Sequence, residues 1–385
     1  MSVEPIGEPM RRSVSTVKSW LAAAALGVGL AFVGLPAPAA SAAAVSCPDL
    51  GTGDSNGLDM RYWRPSPDGL VCEAEFTSDA LFTARGPGAP QIDPVRRPVR
   101  VRVHLPADYD PSARYPVLYL LHGGAADYEQ WSSGGGDITR SVKEAGFKGI
   151  VVMPEGGKVG FYSDWPGYTY GNFTPQWETF HIKQLVPWID AHFATSGERA
   201  VAGMSMGGFG ALKYAAQHPD IFSAVGAFSG GTDLRRPDHQ EIINNGTTLY
   251  GARFWWHGAG ADLGNFWKYL FPGNPDALRR TELVFGPQSG WPSFNPAQVA
   301  ETRPAAYRSY GGKMALYSGR AEDPYVWNTE LHKTLKRQNV SHLYCSGPDG
   351  HDFTTWTPAL KHFLRFAYGT ASTACPDSGG WRQEQ

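Results

Sequence analysis

The chain has 385 residues, 42% hydrophobic and 18% charged, with a formal net charge of −2. That length suffices for one large domain with a substantial core. The near-neutral, mixed-sign charge gives no electrostatic case for nucleic acid or an anionic membrane as partner.

The chain opens on a targeting segment. Arg11, Arg12 and Lys18 precede an apolar run over 20–35, and small residues then offer A-x-A cleavage after Ala42 or Ala44. An uncleaved anchor is the competing reading, because 20–44 is just long enough to span a bilayer. The Ala/Gly-rich run and its closing prolines favour cleavage, so residues 1–44 are expected to be a signal peptide. No later stretch is long and apolar enough to span. The expected location is extracellular, free or held at the cell wall. All four cysteines (Cys47, Cys72, Cys345, Cys375) follow this segment. An even number in an exported chain implies two disulfides with three pairings open. The sequence-local one, Cys47–Cys72 with Cys345–Cys375, would staple each end of the chain.

Residues 45–97 are rich in Gly, Pro and Asp and read as an N-terminal strand extension packed on the core. From 98 onward, strands and helices alternate. The segment 99–105 alternates apolar and polar residues, as a strand near a sheet edge would. Continuous apolar runs at 116–121, 149–153, 200–202, 224–228, 314–317 and 342–344 read as strands buried on both faces. Helices are predicted over 176–193, 208–217, 328–337 and 358–367. The pattern predicts an α/β fold, a mostly parallel sheet with helices on both faces, over 98–370. Residues 231–305 interrupt it with Phe254-Trp-Trp-His257, Trp267 and Trp291. This insertion precedes the strand at 314–317 and reads equally as a substrate cover or a structural excursion. Residues 371–385 form a polar tail.

Gly203-Met-Ser-Met-Gly207 follows the apolar strand at 200–202 and enters the helix at 208–217. That strand–turn–helix context makes a nucleophile elbow of the α/β-hydrolase type. Glycines two residues either side of Ser205 let strand and helix approach, and the helix N-terminus favours negative charge beside the serine. Two weaker echoes, Asp377-Ser-Gly-Gly380 and Gly53-Asp-Ser55, lack the flanking strands and read as loop.

In this plan the acid and then the histidine follow the nucleophile. His332 and His362 fall in predicted helices and His342 begins a strand. His351 alone lies in a turn-rich loop past the last apolar strand, where a general base is needed. The acid should follow the strand at 314–317, within Ser318-Gly-Arg-Ala-Glu-Asp-Pro324. Asp323 is preferred because it directly precedes the turn at Pro324, with Glu322 the alternative. An oxyanion hole needs two backbone amides. Met206, after the nucleophile, supplies one, and the loop His122-Gly-Gly-Ala-Ala-Asp127 supplies the other, with Gly124 preferred and Ala125 second.

These elements carry a resemblance. Tyr119-Leu-Leu-His-Gly-Gly124, Met153-Pro-Glu-Gly-Gly-Lys158, Phe161-Tyr-Ser-Asp-Trp165, Trp177-Glu-Thr-Phe180, Gly203-Met-Ser-Met-Gly-Gly208 and Gly350-His-Asp-Phe353 resemble the esterase D-like group. That group includes S-formylglutathione hydrolases, feruloyl and acetylxylan esterases, and the mycolyltransferases of mycobacterial cell walls, whose motifs are the most similar. The resemblance covers roughly 100–370. It implies an α/β-hydrolase fold and acyl chemistry at Ser205 and His351, with the Met206 and Gly124 amides as the oxyanion hole. It supports the Asp323 region more loosely, since mycolyltransferases place a glutamate in a differently spaced loop. Asp127, Trp165 and Trp356 are candidates to line the substrate site. The trehalose-holding Asp-Gly-Leu-Arg segment of mycolyltransferases is replaced here by His122-Gly-Gly-Ala125, and their Ser-Trp after the histidine by Asp352-Phe353. Trehalose specificity is therefore not implied.

The expected activity is ester hydrolysis through an acyl-enzyme on a small-molecule or cell-wall polysaccharide acyl ester, with no cofactor and no metal. Acyl transfer to a sugar hydroxyl is the alternative. A non-catalytic wall-binding protein is a further rival, and a metallohydrolase lacks an H-E-x-x-H motif.

Overall fold

The computed structural model describes residues 46–51, 54–82, 98–166, 175–240, 243, 280–369, 374–377 and 379–385. The expected signal peptide and the insertion's Phe254-Trp-Trp-His257 and Trp267 lie outside the described residues.

Among the described residues one sheet holds eleven strands. They are β1 (Asp54–Ser55), β2 (Leu58–Pro65), β3 (Cys72–Ser78), β4 (Val99–His104), β5 (Tyr115–Leu121), β6 (Ile150–Pro154), β7 (Thr195–Met204), β8 (Ala224–Phe228), β9 (Met314–Gly319), β10 (Leu343–Gly347) and β11 (Arg382–Gln383). The spatial order is β1-β2-β3-β4-β6-β5-β7-β8-β9-β10-β11. From β6 to β10 every pairing is parallel, and the pairings outside that block are antiparallel. This is the mostly parallel sheet with helices that the alternation predicts, and its order is that of the α/β-hydrolase fold implied by the resemblance.

The apolar runs are continuous because the central strands are covered twice. Along β5, Val117, Tyr119 and Leu121 point into one core layer and Leu118 and Leu120 into the other. The first layer is closed by the helices Met206–Gln217 and Pro324–Arg337, through Phe209, Leu212 and Leu331. The second is closed by Ile138–Ala145 and Phe353–Ala367, through Val142, Leu360 and Phe363. In the predicted 176–193 helix the winding changes, from a π-helical stretch (Thr179–Leu185) to an α-helix (Val186–His192). Pro187, which has no N–H to donate, lies at that junction. Both disulfides take the sequence-local pairing, Cys47–Cys72 and Cys345–Cys375. No helix among the described residues is long and apolar enough to cross a membrane.

One sequence expectation is corrected. The segment at 99–105 is not near a sheet edge, because β4 lies between β3 and β6. Its central polar residue is buried but paired: the Arg102 guanidinium meets Glu73 at 3.1 Å, Asp68 at 3.2 Å and Glu129 at 2.9 Å. Alternation here reflects buried charges with partners rather than a wet face. The C-terminal tail, for its part, ends in β11, which covers the edge of β10.

Because β5, β7, β9 and β10 run parallel, the segments leaving their carboxyl ends gather at one rim of the sheet. They are the 122–127 loop, the elbow at Ser205, the 320–323 loop and the 348–352 loop.

Candidate active site

β7 ends one residue before Ser205, and the helix Met206–Gln217 begins one residue after it. To reverse direction in that space the serine takes φ 54° and ψ −117°, a conformation that L-residues seldom adopt. The flanking glycines are sterically required. A β-carbon on Gly203 would lie 2.5 Å from the Gly207 carbonyl oxygen, and one on Gly207 would lie 2.5 Å from that of Leu121. The Ser205 N–H donates to the Phe228 carbonyl at 2.8 Å, which pins the elbow to β8.

His351 leaves the loop after β10 with its Nε2 2.9 Å from the Ser205 Oγ. Its Nδ1 lies 2.7 Å from Oε2 of Glu322. A carboxylate only accepts, so Nδ1 carries the proton and Nε2 is free to accept the serine's. The other Glu322 oxygen accepts the Gly319 N–H at 2.8 Å. The Glu322 side chain is fully buried, whereas the imidazole is 18% exposed. Trp356 stands perpendicular to the imidazole at 5.0 Å, and its indole N–H donates to Ser229 Oγ at 3.0 Å.

The structure thus puts Glu322, not the preferred Asp323, on the histidine. The 320–322 loop is zipped to the histidine loop, with Arg320 N–H on the Gly347 carbonyl and Ala321 N–H on that of Asp349. That pairing turns residue 322 inward. Asp323 follows at the exposed start of the helix Pro324–Arg337, and its side chain caps nothing.

Gly124 and Met206 meet on the other side of the serine. A β-carbon on Gly124 would lie 3.9 Å from Cβ of Met206. Met206 is the first helical residue, so its N–H has no partner in the helix. The Ala125 amide is already committed, donating to the Lys158 carbonyl at 2.7 Å. Gly123 donates to Gln130 Oε1 at 2.7 Å. Gly124 is exposed, and its N–H meets no acceptor among the described residues. Two amides of the kind an oxyanion hole requires are therefore side by side.

Of the candidates for substrate contact, Asp127 is half-buried and pairs with Lys158 at 3.1 Å. Trp165 is a core residue, 3% exposed, whose indole donates to the Gly160 carbonyl at 3.1 Å. Trp356 packs on His351 and is likewise buried. Large aromatics in these motifs fill the scaffold beneath the site. Trp291, in the described part of the insertion, is also buried, with its indole N–H on Gly286.

Sequence reasoning missed the supports behind the turn at 122–125. His122 is buried; its Nε2 accepts the Gly156 N–H at 2.8 Å, and its Nδ1–H donates to the Gly123 carbonyl at 2.8 Å. It is therefore a neutral strut, although Glu155 Oε1 lies 3.5 Å from Nε2. The Tyr162 hydroxyl donates to the His122 carbonyl, and burial pushes that phenol well above its ordinary range. The H-G-G motif located this turn but gave no sign of which groups hold it.

The chain is similar to known proteins in sequence and in fold. The Esterase family, described as "Putative esterase", matches residues 94–367. The chain is 45% identical over 173 residues to Esterase Rv1288 of Mycobacterium tuberculosis, covering 40% of this chain and 36% of that protein. It thus spans about a third of that relative's length. It is 31% identical over 240 residues to Diacylglycerol acyltransferase/mycolyltransferase Ag85B of Mycobacterium leprae, covering 55% of this chain and 71% of that protein. Among solved structures, S-formylglutathione hydrolase from Staphylococcus aureus superposes with a TM-score of 0.53 at 18% identity, over 77% of this chain and 98% of that one. That likeness concerns the fold.

Proposed function

The chain belongs to the Esterase family, and on that premise we propose that it is a secreted serine esterase working through Ser205, His351 and Glu322. The observation that carries the reading is the unbroken hydrogen-bonded line from Ser205 Oγ through both ring nitrogens of His351 to the buried Glu322.

In the proposed reaction, His351 Nε2 takes the hydroxyl proton as Ser205 Oγ bonds to the ester carbonyl carbon. The carbonyl electrons move onto oxygen, which the Gly124 and Met206 amides receive. As the carbonyl re-forms, the bond to the alcohol oxygen breaks, and His351 returns its proton to that leaving group. Water, deprotonated by the same nitrogen, then releases the acid and restores the serine. Glu322 holds the ring in the right tautomer and stabilises its charged form. The leader-like segment and the two disulfides support an extracellular setting.

Acyl transfer to a sugar hydroxyl is the second reading, favoured by the similarity to Ag85B. Hydrolysis is preferred because the oxyanion loop carries His122 and Ala125 where the mycolyltransferase pattern has its trehalose-holding Asp and Arg. The test is turnover of p-nitrophenyl esters from acetate to palmitate, with and without trehalose or glucose, beside Ser205→Ala. Serine-dependent release indifferent to sugar supports hydrolysis. Serine-dependent formation of acylated sugar supports transfer, and turnover that survives Ser205→Ala contradicts both.

A further inference from the structure

We propose that Gln130 is a positioning residue of the oxyanion hole: by accepting the Gly123 N–H it holds the turn that leaves the Gly124 amide to the substrate. This rests on the reading of Ser205 as nucleophile.

Three consecutive amides in this turn have three different fates. Gly123 donates to a side chain, Gln130 Oε1, at 2.7 Å. Ala125 donates to the Lys158 backbone at 2.7 Å and takes φ 63°, a left-handed conformation unusual for a residue with a β-carbon. Gly124, between them, is exposed and unpaired among the described residues. A peptide turn clamped at both flanks has little freedom to rotate its middle amide away, and preorganised donors are what make an oxyanion hole effective. The Lys158 clamp is backbone, so it is indifferent to side-chain identity. The Gln130 clamp is the one a substitution removes.

The contact is close to the chemistry. A β-carbon built on Gly123 would lie 3.4 Å from Gln130 Oε1 and 3.5 Å from Cβ of Ser205. Gln130 is itself anchored. Its N–H donates to the Asp127 carbonyl and its own carbonyl accepts the Gly136 N–H, both at 3.0 Å. Next to it, the Trp131 indole donates to the Leu121 carbonyl at 2.9 Å, at the root of the same turn. The buried Arg102 holds the rest of the segment, reaching Glu129 at 2.9 Å, Ser132 Oγ at 2.9 Å and Ser133 Oγ at 2.7 Å. The glutamine is thus the last link between a rigid scaffold and the turn.

Gln130→Met keeps the length and removes the acceptor. On p-nitrophenyl butyrate we expect kcat to fall about tenfold or more, with KM within about twofold, since the lost interaction acts on the transition state. The inhibition constant of an aryl trifluoromethyl ketone, which binds as a tetrahedral adduct, should rise by a similar factor, with the melting temperature nearly unchanged. A folded Q130M with kcat within twofold of wild type, or with KM raised and kcat intact, would overturn the proposal. Single-amide hydrogen exchange on the unmodified protein tests the same claim without turnover: Gly123 should be protected and Gly124 should exchange fast. Gly123 as fast as Gly124 would overturn it, and because this measurement needs no activity, failure of the esterase reading would be seen separately.

Discussion

Glu322 Oε2 lies 2.7 Å from Nδ1 of His351, while Asp323, the next residue, is exposed and its side chain does not cap the helix it precedes. Glu322→Gln should therefore cost about 10³–10⁴ in kcat, because an amide can present N–H to the ring and favour the wrong tautomer. Asp323→Asn should change kcat by less than about twofold. Steady-state kinetics of the two variants decides it, and the reverse ranking would return the acid role to Asp323.

The strain at the elbow has its own consequence. Ser205 takes φ 54°, which costs an L-residue on the order of 1–3 kcal/mol and costs glycine little. Ser205→Gly and Ser205→Ala should both be inactive, but the glycine variant should be the more stable. The difference should be about 1 kcal/mol after allowing for glycine's greater entropy when unfolded. Paired denaturant titrations measure it, and an alanine variant as stable as the glycine one would mean the turn is relaxed.

Stability should depend on pH in a definite direction. Burial lowers His181 to about 3 and His104 to about 4. Below the ordinary 6.5, the unfolded chain takes up protons that the folded protein refuses. Their contribution is complete above that value and is lost as pH falls toward the folded values. Glu178 adds a second limb. Burial alone would raise its carboxyl, but Lys213 and His218 bring it down to about 2 from an ordinary 4.5. Its stabilisation is present above 4.5 and lost from there toward 2. The melting temperature should thus fall continuously from about pH 6.5 to 3, and a flat profile between pH 6.5 and 4.5 would contradict the histidine assignment.

The disulfides close the chain at both ends, with sequence separations of 25 and 30 residues. The second joins β10 to the tail, whose Gly380 carbonyl accepts from Arg320 at 3.0 Å, beside the Glu322 loop. Thiol titration of the denatured, unreduced protein should find no free cysteine. Reduction should lower stability by about 2–4 kcal/mol per bridge. Removal of the Cys345–Cys375 bridge alone, by paired Cys→Ala substitution, should lower kcat as well.

How much of this the sequence carried depends on how local each signal is. The elbow was legible because glycine spacing, a preceding apolar run and a following helix all lie within about twenty residues of Ser205. His351 was legible because its competitors fell in regular elements. The choice between Glu322 and Asp323 was not, because both neighbours are acidic and the inward one is selected by contacts with Gly319 and the histidine loop. β4 was misread because its alternation is that of a wet strand, whereas Glu73 and Glu129, far apart in sequence, neutralise Arg102 in the interior. Gln130 had no motif to mark it; its role follows only from the chain folding back onto Gly123.

The most direct test of the account is to trap the acyl-enzyme. The purified protein would be mixed with a slowly deacylating p-nitrophenyl ester, quenched in acid, and examined by intact-mass and peptide mass spectrometry. We expect a mass increase equal to one acyl group, located at Ser205 and absent from Ser205→Ala. Turnover without such an adduct, or an adduct at another residue, would contradict the assignment of Ser205 as the nucleophile.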